Sequence, residues 1–402
     1  MSLLSNAQSN VSKVVDSLLY LDACAAAPPH PLVLAAMAEH HADCWANPSS
    51  LHSAGLMAAD LLERSRLELA ALVGLKKGEV IFTSGGTEAN NLALFGVCRR
   101  LTPGRLLLSP LEHQSVKAPA AQLRLEGWQI ELLPVDQQGL VKLEELEKLL
   151  EPPTRLLSLV WGSAEVGTLQ PMAAVAALCK AKGVLLHSDA VQVAGEVLVD
   201  LEAIPVDLLS VSAHKFQGPR GVGALLLADG IELQPQIRGG AQEGGHRSGT
   251  EPVILAAGMV KALELRQTCQ PHPAEQLAQL RDRLMEQLLA LIGVRLSGPS
   301  NPKQRLPHHL SLLLSSPEGV PLSGRSMVRA MARGGVACSS GSACSSGKEL
   351  ANSNLLALGL SDAEAASGLR FSFGPWLEPS DLDEIPALFE RCLAELSLEK
   401  LQ

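Results

Sequence analysis

Short apolar runs alternate along this chain with longer stretches whose apolar positions recur at three- and four-residue spacing. The runs Glu79–Phe82, Arg105–Ser109, Ile130–Leu133, Arg155–Val160, Val184–Asp189, Leu208–Val211 and Val222–Leu227 read as strands. Between them Leu32–His41, Ala54–Val73, a stretch opening at Glu88, Val116–Leu125, Leu143–Leu150 and Met172–Lys182 carry helical spacing. In Ala54–Val73 the apolar positions are Leu61, Leu62, Leu67, Leu69 and Leu72. Repeated strand–helix units predict an α/β fold with a mostly parallel sheet and helices on both faces. Val253–Gln267 is a long helix leading out of this unit. Beyond it Leu277, Leu280, Leu284, Leu288 and Ile292 predict a core stripe. Arg295–Leu296, His309–Leu314 and Gly368–Gly374 read as further strands, Gly319–Arg333 contains a helix, and Ser380–Leu396 closes the chain as an amphipathic helix.

Composition narrows the class. The 402 residues are 47% apolar, enough for a large core or two, but only 3% aromatic, so Leu, Val and Ala must fill it. The net charge of −9, with no basic block, argues against nucleic acid or an anionic membrane as partner. No apolar run approaches the ~18 residues of a membrane span. The N-terminus lacks a cationic start, an unbroken apolar core and a cleavage signal, which predicts a cytoplasmic protein or one stripped of its targeting segment. Eight scattered cysteines without a CxxC pair predict neither a zinc site nor a disulfide framework.

Candidate chemistry gathers where strands end. Lys215 follows the Leu208–Val211 run, in Ser212-Ala213-His214-Lys215; a Schiff-base lysine sits in such a place, but so does an ordinary loop lysine. Thr83-Ser84-Gly85-Gly86-Thr87 joins a strand to a helix and offers free N–H groups to a phosphate, or is simply a tight turn capped by Thr87. His113, Asp189 and Lys215 all lie at or just past strand ends, where the ligand crevice of an open α/β sheet opens. Pro235–Pro252 is too glycine-rich to be core, and Gly335–Gly347 is a Ser/Gly stretch carrying Cys338 and Cys344.

Together YLDACAAA, NPSSLH, TSGGTEANN, EHQSV, EVGTLQP, HSDAVQ, SAHK, RSGTEP, SSGSACSSG and LRFSFG resemble, in order and over almost the whole chain, the cysteine desulfurases of the class V aminotransferase group. The serine/glycine stretch resembles the branch with a long mobile cysteine loop. The resemblance implies a fold-type I pyridoxal-phosphate enzyme with a seven-stranded large-domain sheet. Residues 18–262 are then the large domain, and residues 1–17 and 263–402 a smaller α+β domain with the cysteine loop. Lys215 holds the aldehyde of pyridoxal 5'-phosphate, Asp189 faces the pyridine nitrogen, Gln192 the ring oxygen, and His113 stacks on the ring and shuttles protons. Gly86, Thr87, Ser212 and His214 hold the phosphate, with Thr250 reaching it from a second copy in a homodimer. Arg370, and Asn47 near the entrance, bind the substrate L-cysteine. Cys344 takes its sulfur as a persulfide for a sulfur-acceptor protein of iron–sulfur cluster or other thio-cofactor assembly. No metal is implied.

Ser163 and Ala164 stand where the family usually has two asparagines, the second touching the ring oxygen and the substrate carboxylate. Ala26 and Ala27 replace two threonines, Gly244 and Pro375 replace basic residues, and Cys338 matches no essential position. The altered substrate wall leaves two alternatives: a selenocysteine lyase or other β-elimination enzyme, or a catalytically weak paralogue serving as a binding subunit for a sulfur acceptor.

Overall fold

The computed structural model describes residues 18–268, 273–340 and 352–401; Cys344 and Cys269 lie outside them. Among the described residues twelve strands run in chain order: β1 Leu19–Tyr20, β2 Gly78–Thr83, β3 Arg105–Leu108, β4 Gln129–Leu132, β5 Thr154–Ser158, β6 Leu185–Asp189, β7 Leu208–Ser212, β8 Gly223–Ala228, β9 Val294–Leu296, β10 His309–Leu314, β11 Val336–Ala337 and β12 Gly368–Ser372. Seven form one sheet in the order β2-β8-β7-β6-β5-β3-β4. Its neighbours β7-β6-β5-β3-β4 pair in parallel, and β8 runs antiparallel to both β7 and β2.

Side chains alternate across a strand, so consecutive leucines bury on opposite faces. Leu106, Leu208, Leu225 and Leu227 pack under the helices Gly86–Cys98 and Gln114–Leu125, with Leu92, Val97, Val116 and Leu123. Leu107, Leu209, Val211, Ala224 and Leu226 pack on the other face, with Leu69, Val175 and Met259. Both faces are therefore dry, which is why these strands read as unbroken apolar runs.

A second core gathers Leu277, Leu280, Leu284 and Leu288 against Leu310, Leu312 and Leu314 of β10, with Phe371, Phe373 and Phe389. Its sheet is antiparallel, in the order β12-β10-β9. β1 pairs with β11, and Leu21 packs into this second core.

Two apolar assignments are corrected. Leu67 is 70% exposed, because it lies two residues, or about 200° of helix, from buried Leu69. Ile292 is 75% exposed, since its helix ends at Leu289 and the stripe does not continue into the turn. Two boundaries also move. The helix after the glycine turn starts at Gly86, not Glu88, and the C-terminal helix spans Ile385–Leu401 after a short 3-10 turn at Pro379–Leu382. Among the described residues, no helix is long and apolar enough to cross a membrane.

Candidate active site

The ends of β3, β5, β6 and β7 open on a cavity of about 310 Å3. Gly86, Thr87, His113, Asp189, Gln192, Ser212, His214, Lys215 and Arg370 all line it. Asn47 and Thr250 do not: both are exposed, Asn47 accepting the Ser49 N–H at 2.9 Å. Cys344 lies outside the described residues.

β7 and β8 are paired in register, Ser212 with Gly223, so the 213–222 link is held at the sheet end and Lys215 with it. Its Nζ donates to the carbonyls of Cys24 at 2.5 Å and Ala25 at 2.9 Å. Burial lowers the Lys215 pKa, and the Arg370 charge adds to that against the opposing pull of Cys24, Asp189 and Asp22. The amine is thus biased toward its neutral, nucleophilic form. Beside it, burial and then the Lys215 charge push the His214 imidazole down to about 4, and its Nδ1 lies 2.9 Å from Ser212 Oγ.

Asp189 ends β6, 5% exposed. Its Oδ1 accepts the Val191 N–H at 3.0 Å and its Oδ2 accepts Asn90 Nδ2 at 2.7 Å. Asn90 also donates to Ser115 Oγ at 2.9 Å. His113 caps the helix Gln114–Leu125, its Nδ1 accepting the Ser115 N–H at 3.1 Å. Gln192 Nε2 donates to the Cys24 carbonyl at 2.9 Å.

The Gly85–Gly86 turn needs its glycines for space. A Cβ on Gly86 would lie 2.7 Å from Val191 Cγ2, and one on Gly223 of β8 would lie 2.7 Å from Gly85 Cα. Gly85 takes φ 152° and makes no side-chain cap; the expected capping role of Thr87 is therefore corrected. The helix is entered with its first N–H groups free of intrahelical acceptors, the Ala89 N–H being bonded to Gly85 O at 3.1 Å. Arg247, from the glycine-rich Pro235–Pro252 loop, reaches this helix start through a 2.8 Å contact with Glu88.

Opposite, Arg370 on β12 is 5% exposed. Its Nη2 donates to Asp22 Oδ1 at 2.8 Å and its Nη1 to Ala164 O at 3.0 Å, with Glu165 Oε1 at 3.5 Å. Its buried Nε has no hydrogen-bond partner among the described residues. Ala164 contributes its backbone only, the same carbonyl lying 2.8 Å from His309 Nε2. Ser163 Oγ turns back to accept the Val166 N–H at 3.3 Å. Cys338 packs in the second core, its thiol pushed up to about 12 by burial.

Asp22, Asn90, Glu165 and Asn354 belong to the cavity or its supports and were not singled out from the sequence. Asn90 sits inside TEANN and Asp22 inside YLDACAAA, but only the fold turns those side chains toward Asp189 and Arg370. Asn354 Nδ2 donates to Leu111 O at 3.0 Å, joining two cavity walls from positions 243 residues apart.

A lysine after one central strand, an aspartate at the end of its neighbour and a glycine-turn helix start form the architecture of the fold-type I pyridoxal-phosphate enzymes. The Aminotransferase class-V family model matches residues 19–385. The chain belongs to that family. It is 34% identical over 370 residues to a cysteine desulfurase IscS of Clostridium botulinum, covering 91% of this chain and 92% of that one. A solved NifS-like protein superposes with a TM-score of 0.86 at 31% identity, over 94% of this chain and 100% of its own. SspA, solved in complex with cysteine, superposes with a TM-score of 0.77 at 29% identity, over 90% of this chain and 100% of its own.

Proposed function

We propose that this protein is a pyridoxal-phosphate-dependent cysteine desulfurase that converts L-cysteine to L-alanine and leaves the sulfur on Cys344 as a persulfide. The observation that carries the reading is one cavity holding both the Lys215 amine, biased toward neutrality, and Arg370, whose buried Nε lacks a partner among the described residues.

The residues present fit the cofactor. Among the described residues, Asn90 Oδ1 is buried and unpaired beside Asp189, and the space kept open at Gly86 is one a Cβ would fill. Lys215 would hold the aldehyde, Asp189 the pyridine nitrogen, Gln192 the ring oxygen and His113 the ring face. Gly86, Thr87, Ser212 and His214 would hold the phosphate. When bound, the cofactor supplies an electron sink for the substrate Cα. Arg370 orients the substrate carboxylate, exchanging contacts with Asp22 and Glu165 for it. His113 moves the proton at the substrate sulfur. The Cys344 thiolate takes that sulfur, one C–S bond breaking as one S–S bond forms, and alanine leaves.

Exposed Thr250 serves the phosphate of a second copy, so the working unit is a homodimer, and Asn47 serves the entrance for substrate. The protein acts in the reducing cytoplasm, where its six described cysteines stay as free thiols. A sulfur-acceptor protein of iron–sulfur cluster or thio-cofactor assembly then takes the persulfide. Alanine and protein-bound sulfane sulfur measured together test the scheme. The wild type forms both from L-cysteine, and Cys344→Ser loses both. Unchanged alanine output from that variant removes the persulfide route.

A further inference from the structure

Among the described cysteines, Cys24 alone lines the cavity. Nothing in the desulfurase scheme uses its side chain. Its Sγ lies 3.4 Å from His308 Nε2. On the far side of that ring, Nδ1 is buried without a hydrogen-bond partner among the described residues, 3.8 Å from Glu196 Oε2. Glu196 is held in turn by Arg266 at 2.6 Å. All four residues are more than nine-tenths buried. The main chain of Cys24 is pinned as well, its N–H donating to Ser372 Oγ at 2.9 Å and its carbonyl accepting from Lys215 and Gln192.

A thiol, an imidazole and a carboxylate in line are the parts of an activated nucleophile: a sulfur to attack, a base to take its proton and a group to orient that base. We propose that Cys24 is a second sulfur-accepting thiol of this site, deprotonated through His308 toward Glu196, and that its co-reactant is a persulfide or polysulfide sulfur in the cavity.

The step balances. The Cys24 sulfur attacks the outer sulfur of a persulfide RS–SH, the S–S bond to R breaks, and Cys24–S–SH and RSH result. The Cys24 proton passes to His308 Nε2, while Nδ1 faces Glu196. The leaving thiolate is reprotonated, and no net oxidation occurs. Under the desulfurase reading the donor is made in this same cavity, and to that extent the inference rests on it.

The electrostatics explain why the thiol stays quiet at rest. Burial pushes it up to about 11, against the lowering pull of Arg370 and Lys215 and with a small push from Asp22. It is therefore a protonated thiol until a base acts. Burial, and then the Arg266, Arg370, Arg281 and Lys215 charges, hold the His308 imidazole down to about 3, so the ring rests neutral and hands the proton on from Nδ1 rather than keeping it. Burial also raises Glu196 to about 7 despite Arg266, so the far end of the line exchanges a proton near neutrality.

The test is peptide mass spectrometry of the holoenzyme after exposure to L-cysteine or, separately, to inorganic polysulfide without L-cysteine. A single added sulfur atom on the Cys24 peptide is expected from both sources. In His308→Asn, polysulfide labelling of Cys24 at neutral pH slows about 100-fold, the low end of what a positioned base supplies. Its rate then climbs about tenfold per pH unit with the thiolate fraction, whereas the wild type levels off above about pH 7. A bare Cys24 beside a sulfur-loaded Cys344, from both sources, overturns the proposal and leaves the desulfurase reading standing. No alanine from L-cysteine, with Cys24 still labelled by polysulfide, does the reverse. Equal rates and pH profiles in wild type and His308→Asn refute the role of His308.

Discussion

Arg370 gives the sharpest test of how the substrate is held. Its guanidinium bonds Asp22 at 2.8 Å and the Ala164 carbonyl at 3.0 Å, and approaches Glu165 at 3.5 Å. Arg370→Lys keeps one positive charge but cannot present two parallel donors to a carboxylate. The loss of one charge-assisted hydrogen bond is worth about 1.5–3 kcal/mol. At about 1.4 kcal/mol per decade, kcat/KM for L-cysteine falls about 10- to 150-fold. Arg370→Ala does more, because Asp22 and Glu165 lose the charge that faces them. Removing one partner of a buried pair costs about 3–5 kcal/mol. The two carboxylate side chains keep 21% and 23% exposure, so solvent screens part of that and the lower end, about 3 kcal/mol, applies. Initial rates of alanine formation against L-cysteine concentration give the first quantity, and urea unfolding gives the second. Arg370→Lys with a wild-type kcat/KM would refute the assignment of the carboxylate to this side chain.

Other consequences are as direct. Gly86→Ala places a methyl group 2.7 Å from Val191 Cγ2; overpacking of about 1–3 kcal/mol weakens cofactor retention at least about fivefold, read by absorbance after dialysis, and undiminished retention would contradict the phosphate seat. Ala164→Asn restores a hydrogen-bonding side chain beside Arg370 and is expected to raise kcat/KM for L-cysteine about tenfold; a fall would show that the alanine is tuned to another substrate. His187, buried between Ser158 and Ser210, is pushed down to about 3 by burial. Between that value and the ordinary 6.5 the unfolded chain binds a proton that the folded chain refuses, so stability is lost as pH falls. From pH 6.5 to about pH 5 the loss is about 2 kcal/mol from this one group. Urea midpoints of the wild type and His187→Asn should converge over that range, and a constant gap would refute the linkage.

The sheet was legible in the chain because both of its faces are dry. Leu208-Leu209 and Leu225-Leu226 each send neighbouring leucines into different cores, and unbroken apolar runs are the trace of that arrangement. Strand ends were legible too, since Asp189 and Lys215 are the polar residues that stop those runs. Helix faces were less so. Leu67 reads as apolar in sequence yet faces solvent, because one leucine more or less does not move a helical stripe. The supporting polar residues were hidden for a different reason. Asn90, Asp22 and His308 gain their meaning from partners 99, 348 and 284 residues away, and no local pattern encodes such a separation. Ala164 shows the converse: the sequence marks a missing side chain, but only the fold reveals that its carbonyl takes two donors, from His309 and Arg370.

The most direct test of the whole account is alanine formed from L-cysteine by the cofactor-loaded protein, measured for the wild type and for Lys215→Ala. The wild type should release alanine over many turnovers, and Lys215→Ala should release none above the rate of free cofactor. No alanine from the wild type, or an equal yield from the variant, would contradict it.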